Sequence, residues 1–357
     1  QEAELTAARL NRLGIEAHIL DWVGGKPKSG VMTAARQARY ALLDQWCRKK
    51  GVLHLLVAHH ADDQAETFLM RLGRGSGPDG LAAMASVREL SACRLLRPLL
   101  DFPKARLQAT LRALDIDWVE DPSNVDPKYA RSRLRAQMRS SGTDVMGIVR
   151  AARRFARARA ALENHTSAWL ARHAVLDQAG FIVLDDAQLQ IADEEIRLRI
   201  LGRTAMTVGG RTYSLQIASL ERLASALAGG RGATLGSARF VVQGDTIGIY
   251  REARNLPEAG SLVYGSSRWD HRFIIKTDAS AAGTPIQPWS SKCDKSWPED
   301  ARPTWFKSLP DAARAGLPVI GWAGAFSVPK PGSFENIGVS IRFQPTMPVS
   351  GGGFTVA

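Results

Sequence analysis

The chain has 357 residues, 45% of them hydrophobic, which is enough for two or three domains with cores of their own and excludes global disorder. It contains no apolar run of the roughly 18 residues a membrane-spanning helix needs, and its start, QEAELTAARLNRLG, lacks the basic-then-apolar form of a signal peptide. A net charge of +12 predicts a polyanionic partner, and three scattered cysteines (Cys47, Cys93 and Cys293) with no CxxC pair predict a reducing, cytoplasmic setting.

Leu5, Ala8, Leu10 and Leu13 form a short amphipathic helical pattern ending at Gly14, a favourable helix terminator. Glu16 to Val23 alternates in a way that predicts a strand, and Gly24 to Gly30 reads as a polar loop. Ala34 to Lys50 then carries Ala38, Ala41, Leu42, Gln45 and Trp46 along one side of a helix stopped by Gly51. Val52 to Ala58 is β-branched and leucine-rich, with the length of a buried strand. His59 and His60 follow its end. Asp62 and Asp63 fall in the first turn of the next helix, marked by Ala65, Phe68, Leu69 and Leu72 and closed by Gly73. Acids there also suit the helix dipole without any catalytic duty. The tail Arg74-Gly75-Ser76-Gly77-Pro78-Asp79-Gly80 can bring backbone N–H groups close to an anion. Ligands of open α/β sheets bind at the C-terminal ends of strands, so the pattern predicts one site holding His59, Asp62 and Arg74. HExxH spacing is absent, which argues against a zinc site on the two histidines.

Further on, Arg97-Pro98-Leu99-Leu100 precedes a helix from Pro103 to Leu114. A short apolar piece, Ile116 to Val119, leads to Glu120-Asp121-Pro122-Ser123-Asn124, a turn by its chemistry. Tyr129, Arg131, Arg133 and Arg135 follow. Residues 131–160 hold nine arginines against one acid, Asp144, and Arg150, Arg153, Arg154 and Arg157 recur at helical spacing. Such a face can neutralise phosphates. A long helix is expected from Thr143 or Asp144 to His173.

The nonapeptide HHADDQAET (residues 59–67), followed by RLGRGSGPDGLAAM (residues 71–84), resembles the signature of tRNA(Ile)-lysidine synthetases, a branch of the PP-loop ATP-pyrophosphatase superfamily. ARQARY around Arg36, Arg39 and Tyr40, RPLL with Lys104 after it, and EDPSNVDPKYARSRLR are similar to further segments of that family, with Ser132 in place of the usual asparagine. The resemblance implies a doubly wound parallel α/β sheet and a two-step reaction. ATP adenylates the C2 carbonyl oxygen of the wobble cytidine in the CAU anticodon of tRNA(Ile), and the ε-amine of L-lysine displaces AMP. It also implies catalytic Asp62, Asp63 and Arg74, with His59, His60, Glu66, Gly75 and Gly77 at the ATP. Asp62 and Asp63 would hold the Mg²⁺ that ATP brings. Arg97, Lys104, Arg131, Arg133, Arg135, Arg153 and Arg154 would contact the tRNA.

The remaining pattern gives a strand at Phe181 to Leu184, helices at Asp193 to Met206 and Leu215 to Ala228, and a boundary at Gly229-Gly230-Arg231-Gly232. Short strands follow at Ala238 to Gln243, Thr246 to Tyr250, Arg272 to Lys276 and Ser340 to Phe343. The expected organisation is a catalytic domain over 1–140, an arginine-rich helical region over 141–230 and a β-rich domain over 231–357. The family's Ser-Gly-Gly-x-Asp-Ser loop does not occur in the 357 residues; Ser266-Ser267 and Ser350-Gly351-Gly352 stand in the wrong context. The segment carrying it, with the first strand, is therefore expected to be missing, and the chain as written is expected to bind tRNA without turnover. The rival expectations are a tRNA-binding module without catalysis and another PP-loop tRNA modifier such as a thiolase, against which the absent CxxC counts.

Overall fold

The structure, a computed structural model, describes residues 2–25, 27, 29–118, 128, 130–213, 215–289, 297–322, 325–332 and 338–350. The expected turn at Glu120–Asn124, Tyr129, Cys293 and Gly351-Gly352 lie outside these. The chain divides into two compact units, residues 1–161 and 162–352, where the sequence pattern placed boundaries at 140 and 230.

In the first unit, α1 (Glu2–Arg12) and α2 (Val31–Lys50) precede a short strand β1 (His54–Leu56) and α3 (Ala61–Leu72). A single turn, α4 (Pro78–Leu81), leads to β2 (Val87–Glu89), β3 (Arg94–Leu96), α5 (Lys104–Ala113) and α6 (Ala130–Ser140). The long α7 (Val145–His173) leaves the unit. Strands β1 and β3 pair in parallel with His54 opposite Arg94, while β2 joins β3 antiparallel, so the order is β1-β3-β2. The architecture is α/β, as expected, but this sheet is mixed rather than purely parallel. No strand forms at Glu16 to Val23; His18 instead lies 5.2 Å from the Trp46 ring of α2. The expected buried strand is the sheet's edge, with Leu53 and Leu56 69% and 62% exposed. Apolar run length alone does not distinguish a strand covered on both faces from one at an edge.

Packing in this unit centres on α3. Phe68 of α3, Leu81 and Ala83 after the glycine-rich tail, and Ala152 of α7 are buried together, with Leu69, Ile148 and Phe155 against them. The tail is thus clasped between two helices.

The second unit is α+β with antiparallel sheets. Strands β4 (Ala174–Leu176) and β5 (Ile182–Asp185), helices α8 (Asp186–Ile191), α9 (Glu194–Gly209) and α10 (Ile217–Ala228), and strands β6 (Ala233–Leu235), β7 (Ala238–Gln243) and β8 (Thr246–Arg251) come first. They build a five-stranded sheet ordered β4-β5-β8-β7-β6 with α9 and α10 on one face. Leu184, Ile200, Leu223, Phe240 and Ile249 share one core, so the helices before Gly229 and the strands after it belong together. The second half contributes β9 (Gly260–Ser261), β10 (Gly265–Trp269), β11 (Phe273–Thr277), β12 (Pro285–Pro288), α11 (Thr304–Lys307), α12 (Asp311–Arg314), β13 (Pro318–Trp322), β14 (Ala325–Ser327) and β15 (Val339–Phe343). These form sheets ordered β10-β11-β15 and β14-β13-β12-β9. Trp269, Trp289 and Trp297 are core residues here.

Candidate active site at the two ends of one helix

The N-terminal end of α3 gathers most of the charged residues singled out above. His60 is the N-cap, its backbone N–H donating to Asp63 Oδ2 at 3.0 Å. Its ring nitrogens lie 3.5 Å from Asp62 Oδ2 and 3.4 Å from Asp63 Oδ2. Burial works against a charge on His60, but the hydrogen bond to Asp62 and the charges of Asp63, Asp62 and Glu66 outweigh it and raise its pKa. Asp62 answers in the opposite sense: the His60 hydrogen bond and the backbone N–H of Lys104, at 2.7 Å, hold its carboxyl low against a burial penalty. His59 differs from its neighbour, because burial depresses its pKa, with Asp63 opposing and Arg97, Arg36 and Arg131 assisting.

Deeper along the same face, Glu66 is 2% exposed. Arg135 of α6 reaches Glu66 Oε1 at 2.5 Å and Asp63 Oδ1 at 3.6 Å, and Arg131 lies 3.3 Å from Glu66 Oε2. Arg131 also donates to the Thr67 hydroxyl at 3.4 Å. The two arginines stand four residues apart on one helix face, so they fork over the two acids. Arg131 and Arg135 are thus engaged by the protein's own acids, and Glu66 faces these guanidinium groups. Exposed Arg133 is the member of the trio turned outward, bonding the Lys128 carbonyl at 3.2 Å.

Arg74, Gly75 and Gly77 are not beside Asp62. Asp62 is the second residue of α3 and Leu72 its last, a separation of about 15 Å at 1.5 Å per residue. The tail starts at the far end, where Gly75 N–H donates to Leu72 O at 2.9 Å and Ser76 N–H to Arg71 O at 3.0 Å. Gly75 has φ +68°, a left-handed conformation that glycine adopts without strain. A Cβ at Gly80 would come within 2.5 Å of Ser76 Cβ, so the motif's spacing reflects a tight fold-back. The chain then returns along α3. Arg71 donates to Gly80 O and Ala83 O, both at 2.8 Å, and Gln64 exchanges two hydrogen bonds with the Met84 backbone at 2.8 and 2.9 Å. Gln64 and Arg71 are seven residues apart and share a helix face, a signal present in the sequence though neither was singled out. Arg159 of α7 secures the loop from the other side through Asp79 O at 3.2 Å.

Of the other expected tRNA contacts, Arg97 is 6% exposed and donates to Ala85 O at 2.7 Å. Burial lowers its pKa, with a hydrogen bond to Tyr40 acting against that. Tyr40 is in turn covered by Arg36 and Arg88, 5.3 and 5.8 Å from its ring centroid. Arg153 pairs with Asp101, whereas Arg154, Arg157 and the side chain of Lys104 are exposed. Among the described residues no group of three or more His, Cys, Asp or Glu side chains is placed to hold a metal.

A family model described as a PP-loop domain matches residues 1–141. That match corrects the expectation that the PP-loop portion is missing, and it disfavours the reading as a module without catalysis. The tRNA(Ile)-lysidine synthase of Methylobacterium nodulans is 42% identical over 266 residues, 70% of this chain and 78% of the relative. The protein of that name from Ruegeria pomeroyi is 33% identical over 342 residues, 92% of this chain and 77% of the relative. That of Rhodopseudomonas palustris is 44% identical over 235 residues, 63% of this chain and 67% of the relative. Among solved structures, a U34-tRNA thiolase from Methanococcus maripaludis is similar at 17% identity and a TM-score of 0.34, covering 43% of this chain and 55% of that one, too slight a likeness to bear on function. With a PP-loop domain, the charged end of α3 and relatives aligned over most of its length, this chain belongs to the tRNA(Ile)-lysidine synthase family.

Proposed function

We propose that this chain is an ATP-dependent carbon–nitrogen ligase that makes lysidine in tRNA(Ile). The C2 carbonyl oxygen of the wobble cytidine in the CAU anticodon attacks the α-phosphorus of ATP and pyrophosphate leaves. The ε-amine of L-lysine then adds at C2 and AMP departs with that oxygen. Family membership supports the reaction class, and the geometry that carries the reading is the fork of Arg131 and Arg135 over Asp63 and Glu66. Such a mixed-charge bench can meet both signs the reaction brings together: carboxylate edges suit the ammonium of lysine, and guanidinium edges suit charge developing on the transferred phosphate.

In this reading His60 and Asp62 are positioning residues. His60 caps α3, and Asp62 ties the start of α5 to it through Lys104 N–H. Mg²⁺ usually keeps several waters and binds through substrate phosphates. A resident ion does not fit here, because Asp62 and Asp63 already face His60, the Lys104 N–H and Arg135. Exposed Arg133, Arg154 and Arg157, with the Lys104 side chain, supply the phosphate contacts of the tRNA.

The test is AMP release from ATP in the presence of L-lysine and a tRNA(Ile) bearing CAU. Turnover should require both lysine and that tRNA, and Glu66→Gln should depress it far more than it weakens tRNA binding. AMP release independent of lysine would overturn the assignment.

A further inference from the structure

Arg36, Tyr40, Arg88 and Arg97, none of them used in the reaction above, gather in the first unit beside the end of its two parallel strands. Val57 N–H donates to Leu96 O at 2.9 Å, so His59 beyond β1 and Arg97 beyond β3 leave the sheet at the same end. Ligands of open α/β sheets collect there. Arg36 and Tyr40 stand one turn apart on α2, the guanidinium 5.3 Å from the ring centroid, and Arg88 of β2 lies 5.8 Å from the same ring. Arg97, 6% exposed and held through Ala85 O at 2.7 Å, is hydrogen-bonded to the Tyr40 hydroxyl. Three guanidinium groups thus meet on one phenol, and none of them pairs with an acid among the described residues. Arg97 Nε is buried without a hydrogen-bond partner among the described residues. Burial lowers the pKa of Arg97, and the charges of Arg36 and Arg88 press it down further. Cations crowded in this way repel one another, and a bound anion relieves them.

The neighbouring groups select the kind of anion. Besides its burial, His59 feels Asp63 with one sign and Arg97, Arg36 and Arg131 with the other, so acid and arginines flank one half-buried ring. A polyphosphate entering here meets Asp63 as a like charge. The head of an α-amino acid carries an ammonium and a carboxylate on one carbon and answers both signs at once. We propose that Arg36 is the specificity-determining residue for the amino-acid substrate: its guanidinium, steadied on the Tyr40 ring, binds the α-carboxylate of L-lysine, while Asp63 faces the α-ammonium. Arg88 and Arg97 are positioning residues that act through Tyr40. A guanidinium already stacked on a ring meets a carboxylate as a bidentate pair with little further loss of freedom. The inference rests on the lysine-dependent reaction proposed above and names the group that selects lysine over amines lacking a carboxylate.

The full chain is titrated calorimetrically with L-lysine and with L-lysinamide, in which a neutral amide replaces the carboxylate. Arg36→Ala and Arg36→Lys are compared with Lys49→Ala, an exposed control on the same helix. The unaltered chain should bind L-lysine about ten- to a hundredfold more tightly than L-lysinamide, the scale of one charge-assisted pair. Arg36→Ala should abolish that preference by weakening L-lysine alone, Arg36→Lys should restore part of it, and Lys49→Ala should leave it unchanged. In AMP release, Arg36→Ala should raise KM for lysine by the same factor and leave KM for ATP where it was. A preference that survives Arg36→Ala overturns the proposal. So does a rise in KM for ATP, which would give the guanidinium to the polyphosphate. If the unaltered chain shows no preference between the two amines, the subsite falls, while lysine-dependent AMP release still upholds the reaction. If the preference follows Arg36 but AMP release ignores lysine, the reaction fails and the amino-acid site stands.

Discussion

Asp270 and Glu66 each sit between two arginines, and they differ in how dry the setting is. Asp270 binds Arg251 through both oxygens and takes a 2.7 Å bond from Arg272 Nε; the three side chains are 7%, 5% and 0% exposed. Arg272 also donates to Gly316 O, and burial draws its pKa down to about 10 against the pull of Asp270. Glu66 is as buried, at 3%, but Arg131 and Arg135 keep 41% and 26% of their side-chain surface in water. A fully desolvated triad is a fixed strut, because neither arginine can leave without abandoning an unpaired charge. A half-wet one can exchange partners, because water or a ligand anion can take over part of what the carboxylate gives. The first arrangement joins strands; the second suits a site where charge arrives and departs.

The largest effect should come from the dry triad. Asp270→Asn leaves two buried guanidinium groups without a counter-charge, a loss of about 3–5 kcal/mol. Urea unfolding followed by tryptophan fluorescence will read it, Trp269 being the adjacent residue. A loss below about 1 kcal/mol would erase the distinction drawn between the two triads. Glu66→Gln should be milder in the same unfolding assay, since its arginines can turn to solvent. Its turnover, however, should fall by about 100-fold, the scale of losing one positioned charge-stabilising group. Equal stability losses in both variants with activity preserved would place Glu66 among the struts.

Arg71 sharpens the comparison, because it is a half-buried arginine paired with no acid among the described residues. Burial lowers its pKa, helped by the charge of Arg159, and its guanidinium is spent on two backbone carbonyls. Arg71→Met keeps the stem and removes the donor to Ala83 O, while Gly80 O keeps the Ala83 N–H at 3.1 Å, which should cost about 1–3 kcal/mol. At the wet extreme, Arg154→Ala with Arg157→Ala should leave stability within about 0.5 kcal/mol. The same double variant should lower the salt slope of tRNA binding by about one to two. An unchanged slope would make those arginines simple surface charge.

These contrasts mark what was legible in the sequence. The helices α2, α3 and α7 could be read because apolar spacing reports a face directly, and His60, Asp62 and Asp63 fell at a helix start as expected. What could not be read depends on partners far along the chain. Glu66 and Arg135 are 69 residues apart, and nothing in either segment says they meet. Glu16 to Val23 alternates well enough, but a strand also needs a neighbour to bond. Gly229 to Gly232 looked like a boundary and is a turn inside one unit, since α10 and β6 flank it and share a core. The glycine-rich tail was placed at Asp62 because motif proximity was taken for spatial proximity. The rest of α3, from Asp63 to Leu72, lies between them.

The smallest effect concerns two adjacent histidines that should tilt stability in opposite directions. The folded pKa of His60 is raised above its ordinary 6.5 by Asp62, Asp63 and Glu66, which outweigh the burial that opposes them. The folded state therefore binds more protons than the unfolded chain in the window just above 6.5. The stabilisation from His60 is complete below about 6.5 and is lost as pH rises through the raised value. His59, whose pKa burial lowers, behaves inversely: its neutral ring is favoured in the fold, and stability is lost as pH falls from about 6.5 through the lowered value. Asp62 adds nothing to either window, since its lowered carboxyl loses its contribution only as pH falls below about 3.8. Urea unfolding at pH values of about 5.5, 6.5 and 8 separates the two. His60→Asn should flatten the decline on the alkaline side and leave the acid side intact, while His59→Asn should do the reverse. If both substitutions altered the same limb, the two rings would share one proton equilibrium, and the assignment of His60 as the charged cap between Asp62 and Asp63 would fail.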